Sequence, residues 1–224
     1  MCIRDRYIYI MKNCTVCKSK NIHIFLEIEE LFYWKCNFCE AKFLDNKNYI
    51  SYNEEKKHYL KHNNILTDQG YRNFLLCLIK PLKDKISLYD FGLDYGCGYS
   101  PALADILKKD GFNIDIYDPF FFPNANIFLK KYKFIACSEV VEHLFKPYEE
   151  FIKIDNLMDY NAWFGLMTSF MTEDYLFKNW HYRRDPTHVV FYKKKTFEVV
   201  ANQRNWNVFF PSKNIALFNK IDPY

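Results

Sequence analysis

From residue 71 to residue 219, short apolar runs alternate with stretches whose apolar positions recur at helical spacing. The first helical stretch is 71–82, where Phe74, Leu75, Leu78 and Ile79 share a face and Pro81 stands near the end. A strand follows at 89–95, then a helix at 101–110 and strands at 113–117 and 132–138. Residues 140–144 open a further helix, 148–158 form one, and 163–169 read as a strand. A helix at 196–205 and strands at 206–210 and 215–219 complete the series. Such alternation predicts an α/β domain with a mostly parallel sheet covered by helices on both faces.

The N-terminal part reads differently. Two Cys-x2-Cys pairs, Cys14/Cys17 and Cys36/Cys39, are separated by 18 residues and flank an apolar hairpin at 22–28 and 31–35. A segment of this size cannot hold itself together by apolar burial alone. Two cysteine knuckles closing on one tetrahedral ion solve that problem, and four thiolates suit zinc in a closed, structural site. Four unrelated thiols, or iron in the same cage, are the alternatives. The expected organisation is a leader foreign to the fold at 1–11, a zinc ribbon at 12–45, a polar connection and helix at 46–82, and the α/β domain at 83–224.

Half of the 224 residues are hydrophobic and a fifth aromatic, as a well-filled core requires, and the net charge is only +4. That balance does not mark a nucleic-acid binder, and no run approaches the roughly 18 apolar residues of a membrane span. A soluble protein without a membrane partner is expected. The remaining cysteines, Cys2, Cys77, Cys97 and Cys137, are scattered singly and do not suggest a disulfide framework, so a reducing cytoplasm is the expected setting.

Chemistry concentrates first at Leu93-Asp94-Tyr95-Gly96-Cys97-Gly98, where a strand runs into Asp-x-Gly-x-Gly and then directly into a helix. Glycines let the backbone approach a ligand, and the helix N-terminus behind them favours an anionic group. Asp118 ends the next strand, where a carboxylate can accept both hydroxyls of a ribose. A dinucleotide is the weaker match, since Pro101 stands where the fingerprint's third glycine belongs.

These residues resemble the first motif and ribose-binding acid of class I S-adenosylmethionine-dependent methyltransferases, and 134–144 with Pro147 resembles the fourth strand and following helix of that family. The resemblance runs from about Tyr71 to the C-terminus. It implies a Rossmann-like sheet of seven strands, the last antiparallel, and a cofactor held by Asp94, Gly96, Cys97, Gly98, Asp118, Pro119, Glu139 and Tyr71. Ser100 in place of a further glycine, Lys133 before the fourth strand, and the absence of Pro-Gly-Gly at 158–161 depart from the family pattern and put local loop shape in question. A four-cysteine ribbon before such a domain resembles uncharacterised bacterial members.

Two clusters are candidates for the reaction itself. Glu139, Glu142 and His143 stand at i, i+3 and i+4, which predicts one shared helical face near the cofactor. His143 is then a candidate base. The same three side chains with a further histidine could instead hold a divalent ion, as a similar Glu-x-x-Glu-His does in terminal RNA 2'-O-methyltransferases, or Glu142 and His143 could simply orient the helix. The second cluster, 180–192, is dense in aromatic, basic and histidine residues. His188 and His181 are its candidate bases, with Arg183, Arg184 and Tyr182 as acceptor contacts that suit an anionic group. A small molecule or sugar nucleotide is the expected acceptor. RNA is the less favoured alternative, and a non-catalytic module whose ribbon recruits a partner is a third reading.

Overall fold

The computed structural model describes residues 11–61 and 66–222. Residues 1–10, almost all of the expected leader, lie outside them. The central sheet contains β4 (Phe91–Tyr95), β5 (Asn113–Tyr117), β6 (Tyr132–Ser138), β7 (Met158–Met167), β9 (Trp206–Ser212) and β10 (Ile215–Lys220), in the order β5-β4-β6-β7-β10-β9. β5, β4, β6 and β7 pair in parallel, and β10 is antiparallel to both its neighbours. The mostly parallel α/β sheet expected from the alternation is therefore present. Among the described residues it has six strands and not the expected seven. Between β5 and β6 the chain has only residues 118–131, which contain a 3-10 turn at Ala125–Leu129. That is enough to cross β4, but not to add a helix and an edge strand as well.

Helices α2 (Gln69–Lys83) and α3 (Ala102–Lys109) cover one face. Leu75, Leu78, Ile79 and Leu82 of α2 pack with Leu103, Ile106 and Leu107 of α3 against Phe134, Ala136 and Leu217 of the sheet. The other face carries α4 (Pro147–Leu157) and α5 (Lys194–Arg204), whose Phe151, Ile154, Phe197 and Val200 share a core with the cysteine segment. Among the described residues, no helix is long and apolar enough to cross a membrane.

β1 (Ile22–Ile28) and β2 (Leu31–Cys36) form the expected hairpin, extended by β3 (Lys42–Leu44). This small sheet does not stop at residue 45. Its fourth strand is β8 (Val190–Phe191), paired with β3 at Lys42↔Phe191 and Phe43↔Val190. Further ties are Tyr148 N–H to Thr15 O, Thr196 Oγ1–H to Cys39 O and Gln203 Nε2–H to Cys17 O, at 3.2, 2.8 and 3.0 Å. A three-residue strand with so distant a partner leaves no local signature, which is why the hairpin was legible and its docking was not.

The polar connection contains a helix of its own, α1 (Tyr52–Tyr59), started by a reciprocal capping box between Ser51 and Glu54. Tyr52 stacks on Phe120 at 4.7 Å, and Tyr59 meets the rings of Phe120 and His143 edge-on at 5.4 Å each. α1 thus lies over the C-terminal ends of the parallel strands.

Candidate active site

In an open α/β sheet, ligands bind beyond the carboxyl ends of the strands where the chain reverses direction across the sheet. Here the chain leaves β4 to one side for β5 and returns across it to β6, so the reversal falls between β4 and β6. A cavity of about 480 Å³ lies at that place. Its wall includes Gly96, Cys97 and Gly98 after β4, Asp118 and Pro119 after β5, and Glu139 and His143 after β6, together with Tyr71 of α2 and His188.

The turn after β4 is fixed by Gly96 N–H and Cys97 N–H donating to Tyr117 O, at 2.8 and 3.1 Å. Gly96 has φ +81°, and a Cβ there would stand 2.4 Å from Cγ2 of Val140. Gly98 has φ +64°, but a Cβ there would meet nothing within 4 Å. One glycine lets two turns pack against each other, and the other keeps the floor of the cavity open. Asp118 accepts Gly98 N–H at 3.1 Å on Oδ2, and Phe120 N–H and Phe121 N–H at 2.8 and 3.0 Å on Oδ1. A carboxylate offers about four acceptor positions, so Oδ2 keeps capacity for a hydroxyl arriving from the cavity.

Asp94 does not reach the wall. It is buried, and its Oδ2 accepts Ala104 N–H at 3.2 Å. The N-cap of α3 is Pro101, which makes no side-chain cap bond, so Asp94 supplies the missing acceptor from the neighbouring strand. Burial raises its carboxyl to about 7. Tyr71 lines the cavity, and burial raises its phenol to about 12. Its neighbour Arg72 is committed elsewhere, to Asp105 at 2.6 Å and Leu66 O at 3.0 Å.

The expected helical face at 139–143 is not formed. Glu139 takes a left-handed conformation, φ 53°, and the chain then makes one 3-10 turn, Val141–His143. The strand ends so abruptly because Glu139 N–H still bonds to Met167 O of β7 at 2.9 Å while Val140 packs against Gly96. Glu139 and His143 reach the cavity, whereas Glu142 turns inward and is fully buried. There the Tyr182 hydroxyl donates to Glu142 Oε1 through a very short contact, and Thr168 Oγ1–H donates to Oε2 at 3.0 Å. Tyr182 also stands 3.1 Å from Glu139 Oε2. Burial raises Glu139 to about 7, and burial with the charge of Glu139 raises Glu142 to about 8.

His188 and His143 meet at a ring separation of 4.6 Å. Each directs Nδ1 at a backbone carbonyl, His188 at Tyr182 O (2.7 Å) and His143 at Thr187 O (3.2 Å). A carbonyl only accepts, so Nδ1 of each ring carries a proton, and in the neutral ring the lone pair is on Nε2. The other candidate side chains of the 180–192 cluster, His181, Tyr182, Arg183 and Arg184, do not join them on the wall. His181 and Arg184 are exposed and off the wall. Arg183 is buried, donating to Tyr33 Oη at 3.2 Å and to Lys178 O, and so clamps the cluster to the cysteine segment. Tyr182 lies beneath the cavity as the partner of Glu142. Two short 3-10 turns, Asp174–Asn179 and His181–Arg184, fold this stretch so that only its end, Asp185 and His188, faces the cavity.

Glu55 and Tyr59 of α1, together with Phe120 and Asp185, also line the wall without having been singled out from the sequence. The capping pair Ser51 and Glu54 was the available sign of a helix there. Aromatic and acidic residues on a helix between two modules give no hint of what they will face.

The four paired cysteines form a second cluster, off the cavity wall. All are buried, with Cys14–Cys39 and Cys17–Cys36 sulfur distances of 3.7 Å and all four sulfurs within 4.8 Å of one another. Sulfurs at about 2.3 Å from a tetrahedral ion stand about 3.8 Å apart, so the spacing fits a metal and excludes disulfides. Both knuckles make the same turn, with Lys18 N–H on Cys14 O and Glu40 N–H on Cys36 O.

The comparisons with known proteins agree with this geometry. The model of a family described as a methyltransferase domain matches residues 69–209. No curated protein sequence matches the chain at significance. Human N-acetylserotonin methyltransferase in complex with SAM is a structure of similar fold, with TM-score 0.51 at 11% identity over 69% of this chain and 55% of that one. A chain from the Haloferax volcanii complex between the Trm112 methyltransferase activator and a methyltransferase gives TM-score 0.50 at 10% identity over 76% and 98%. A SAM-dependent methyltransferase from Archaeoglobus fulgidus gives 0.48 at 18% identity over 61% and 69%. With the family model covering well over half of its length, and a glycine turn and strand-end acid opening on one cavity, the chain belongs to the methyltransferase domain family.

Proposed function

We propose that the chain transfers a methyl group from S-adenosylmethionine to a small-molecule acceptor, with His188 as the base. The supporting observation is a single cavity lined by the Gly96–Gly98 turn, Asp118, His143 and His188. In this reading Asp118 takes the ribose hydroxyls on Oδ2, Gly96, Cys97 and Gly98 follow the methionine portion, and Pro119, Tyr71 and Glu139 close around the donor. Asp94 acts through α3 by holding the turn. Methyl transfer is an in-line displacement, so the protein's work is to align the acceptor and remove its proton. A neutral imidazole with its lone pair on Nε2 suits that role, and the Tyr182 carbonyl sets the tautomer. Zinc held by Cys14, Cys17, Cys36 and Cys39 is a structural ion, since four thiolates leave no position for a reactant.

The test is S-adenosylhomocysteine release over a panel of small acceptors. His188→Ala lowers turnover by about 10² or more and leaves cofactor affinity unchanged, and His181→Ala alters neither. Equal loss of turnover and cofactor affinity in His188→Ala would mean structural damage and not loss of a base.

One observation favours a second reading. Glu142, His143 and His188 have ligand atoms within 4.8 Å of one another, and both rings carry the Nδ1–carbonyl bond that orients metal-binding histidines. A divalent ion there would activate an acceptor oxygen. Turnover that survives chelation in zinc-loaded protein, with no response to added Mg²⁺ or Mn²⁺, would rule this out.

A further inference from the structure

The charges on the cavity wall are one-sided. Four acidic side chains, Glu55, Asp118, Glu139 and Asp185, face the space, Glu139 with its carboxyl raised by burial to about 7, and among the described residues lining it there is no lysine or arginine. The arginines expected to receive an anionic acceptor are Arg183, bound to Tyr33 and Lys178, and Arg184, which is exposed. Asp118 and Glu139 lie on the donor side, at the ends of β5 and β6. Asp185 belongs to the loop before His188, and Glu55 to α1, where burial and the nearby charge of Asp118 raise its carboxyl above the usual range. Glu55 accepts the Tyr59 hydroxyl at 2.8 Å, and Asp185 accepts Thr187 N–H and Oγ1–H and pairs with His58 at 3.2 Å. The rings of Tyr59 and Phe120, 5.4 Å apart, line the same cavity.

S-adenosylmethionine carries a single net positive charge, which does not balance this wall. A phosphate or carboxylate entering beside it would meet like charges inside a cavity with apolar walls, where screening is weak. An ammonium meets carboxylates and aromatic faces, the two groups that bind a desolvated cation. A divalent ion on Glu142, His143 and His188 would add positive charge to this wall, so the balance drawn here is that of the metal-free site.

Resting on the methyltransferase reading, we infer that the acceptor is a small amine, selected as its ammonium by Glu55 and Asp185, and not a phosphorylated sugar or RNA. The ammonium gives one proton to Nε2 of His188. The freed nitrogen lone pair then forms the N–C bond as the C–S bond breaks, and that electron pair stays on sulfur. The products are a methylammonium, S-adenosylhomocysteine and a protonated His188, which returns its proton to water.

The test is calorimetric binding to the zinc-loaded full chain saturated with S-adenosylhomocysteine. The probes are phenethylamine, benzylamine and 1,4-diaminobutane, with 3-phenylpropanoate and a uridine diphosphate hexose as the anionic counterparts. At least one ammonium probe binds about tenfold or more tightly than either anion. Glu55→Gln with Asp185→Asn removes that preference, while S-adenosylhomocysteine affinity and the unfolding midpoint stay as in the wild type. An anion bound as tightly as the amines, an absence of binding by all three amines, or a preference that survives the double substitution overturns the inference and leaves the methyltransferase reading standing. Failure of S-adenosylhomocysteine itself to bind overturns both.

Discussion

The packing of Gly96 against Val140 gives a prediction whose size follows from the structure. In Gly96→Ala, the new methyl group must accept φ +81°, a conformation that costs an L residue about 1–2 kcal/mol. It must also displace Val140, whose Cγ2 and Cγ1 lie 2.4 and 2.8 Å from the Cβ position. Overpacking of this kind costs about 1–3 kcal/mol. Gly98→Ala has the first cost but not the second, since nothing lies within 4 Å of its Cβ position. The expected losses are therefore about 2–5 kcal/mol at Gly96 and about 1–2 kcal/mol at Gly98. Val140→Ala in the Gly96→Ala background restores the overpacking part alone, giving a coupling of about 1–3 kcal/mol. Urea unfolding of the four variants and the wild type measures these differences. Equal losses at the two glycines, or no coupling between positions 96 and 140, would refute the claim that the turns after β4 and β6 are held in shape by this contact.

Other predictions rest on the buried carboxylates and the cysteine cage. Burial holds Glu142 at about 8 and Glu139 at about 7, above their ordinary 4.5, so between pH 4.5 and 8 the folded chain binds more protons than the unfolded one. Their contribution to stability is intact below that window and is lost as pH rises through it, with a slope of at most about 1.4 kcal/mol per pH unit for each group. Glu142→Gln, which can still pair with Tyr182 and Thr168, flattens the profile in urea unfolding between pH 5 and 8; an unchanged profile would show that Glu142 is ionised in the fold. Because β3 of the cysteine segment pairs with β8, two residues beyond His188, stripping the metal or making Cys36→Ser lowers turnover by about tenfold or more. S-adenosylhomocysteine affinity changes much less, and calorimetry beside a turnover assay on the same metal-depleted sample shows whether the two separate.

Most of the sheet and part of the cavity wall could be read from the chain. Strands β5 and β6 run over the residues expected, and the glycine turn and Asp118 sit where a strand running into a helix had to put them. Those features are local, being set by apolar periodicity and by residues a few positions apart. What could not be read is long-range. The pairing of β3 with β8 places His188 on the cavity and turns Arg183 towards Tyr33, and no spacing within 180–192 distinguishes these outcomes. Glu139 misled for a different reason. Its i, i+3, i+4 relation to Glu142 and His143 presumed a helix that the left-handed residue at 139 prevents, so one carboxylate faces the cavity and the other the core. The seventh strand failed on length, because residues 118–131 cannot carry it.

The central claim is that the turn after β4 and the acid after β5 together hold the adenosyl donor. Titrating the purified chain with S-adenosylhomocysteine, alongside Asp118→Ala, tests it directly. The account predicts one ligand per chain for the wild type and an affinity about tenfold or more lower for the variant, since a charge-assisted bond to the ribose is lost. Saturable binding that ignores the loss of Asp118, or no binding to the wild type at all, would contradict it.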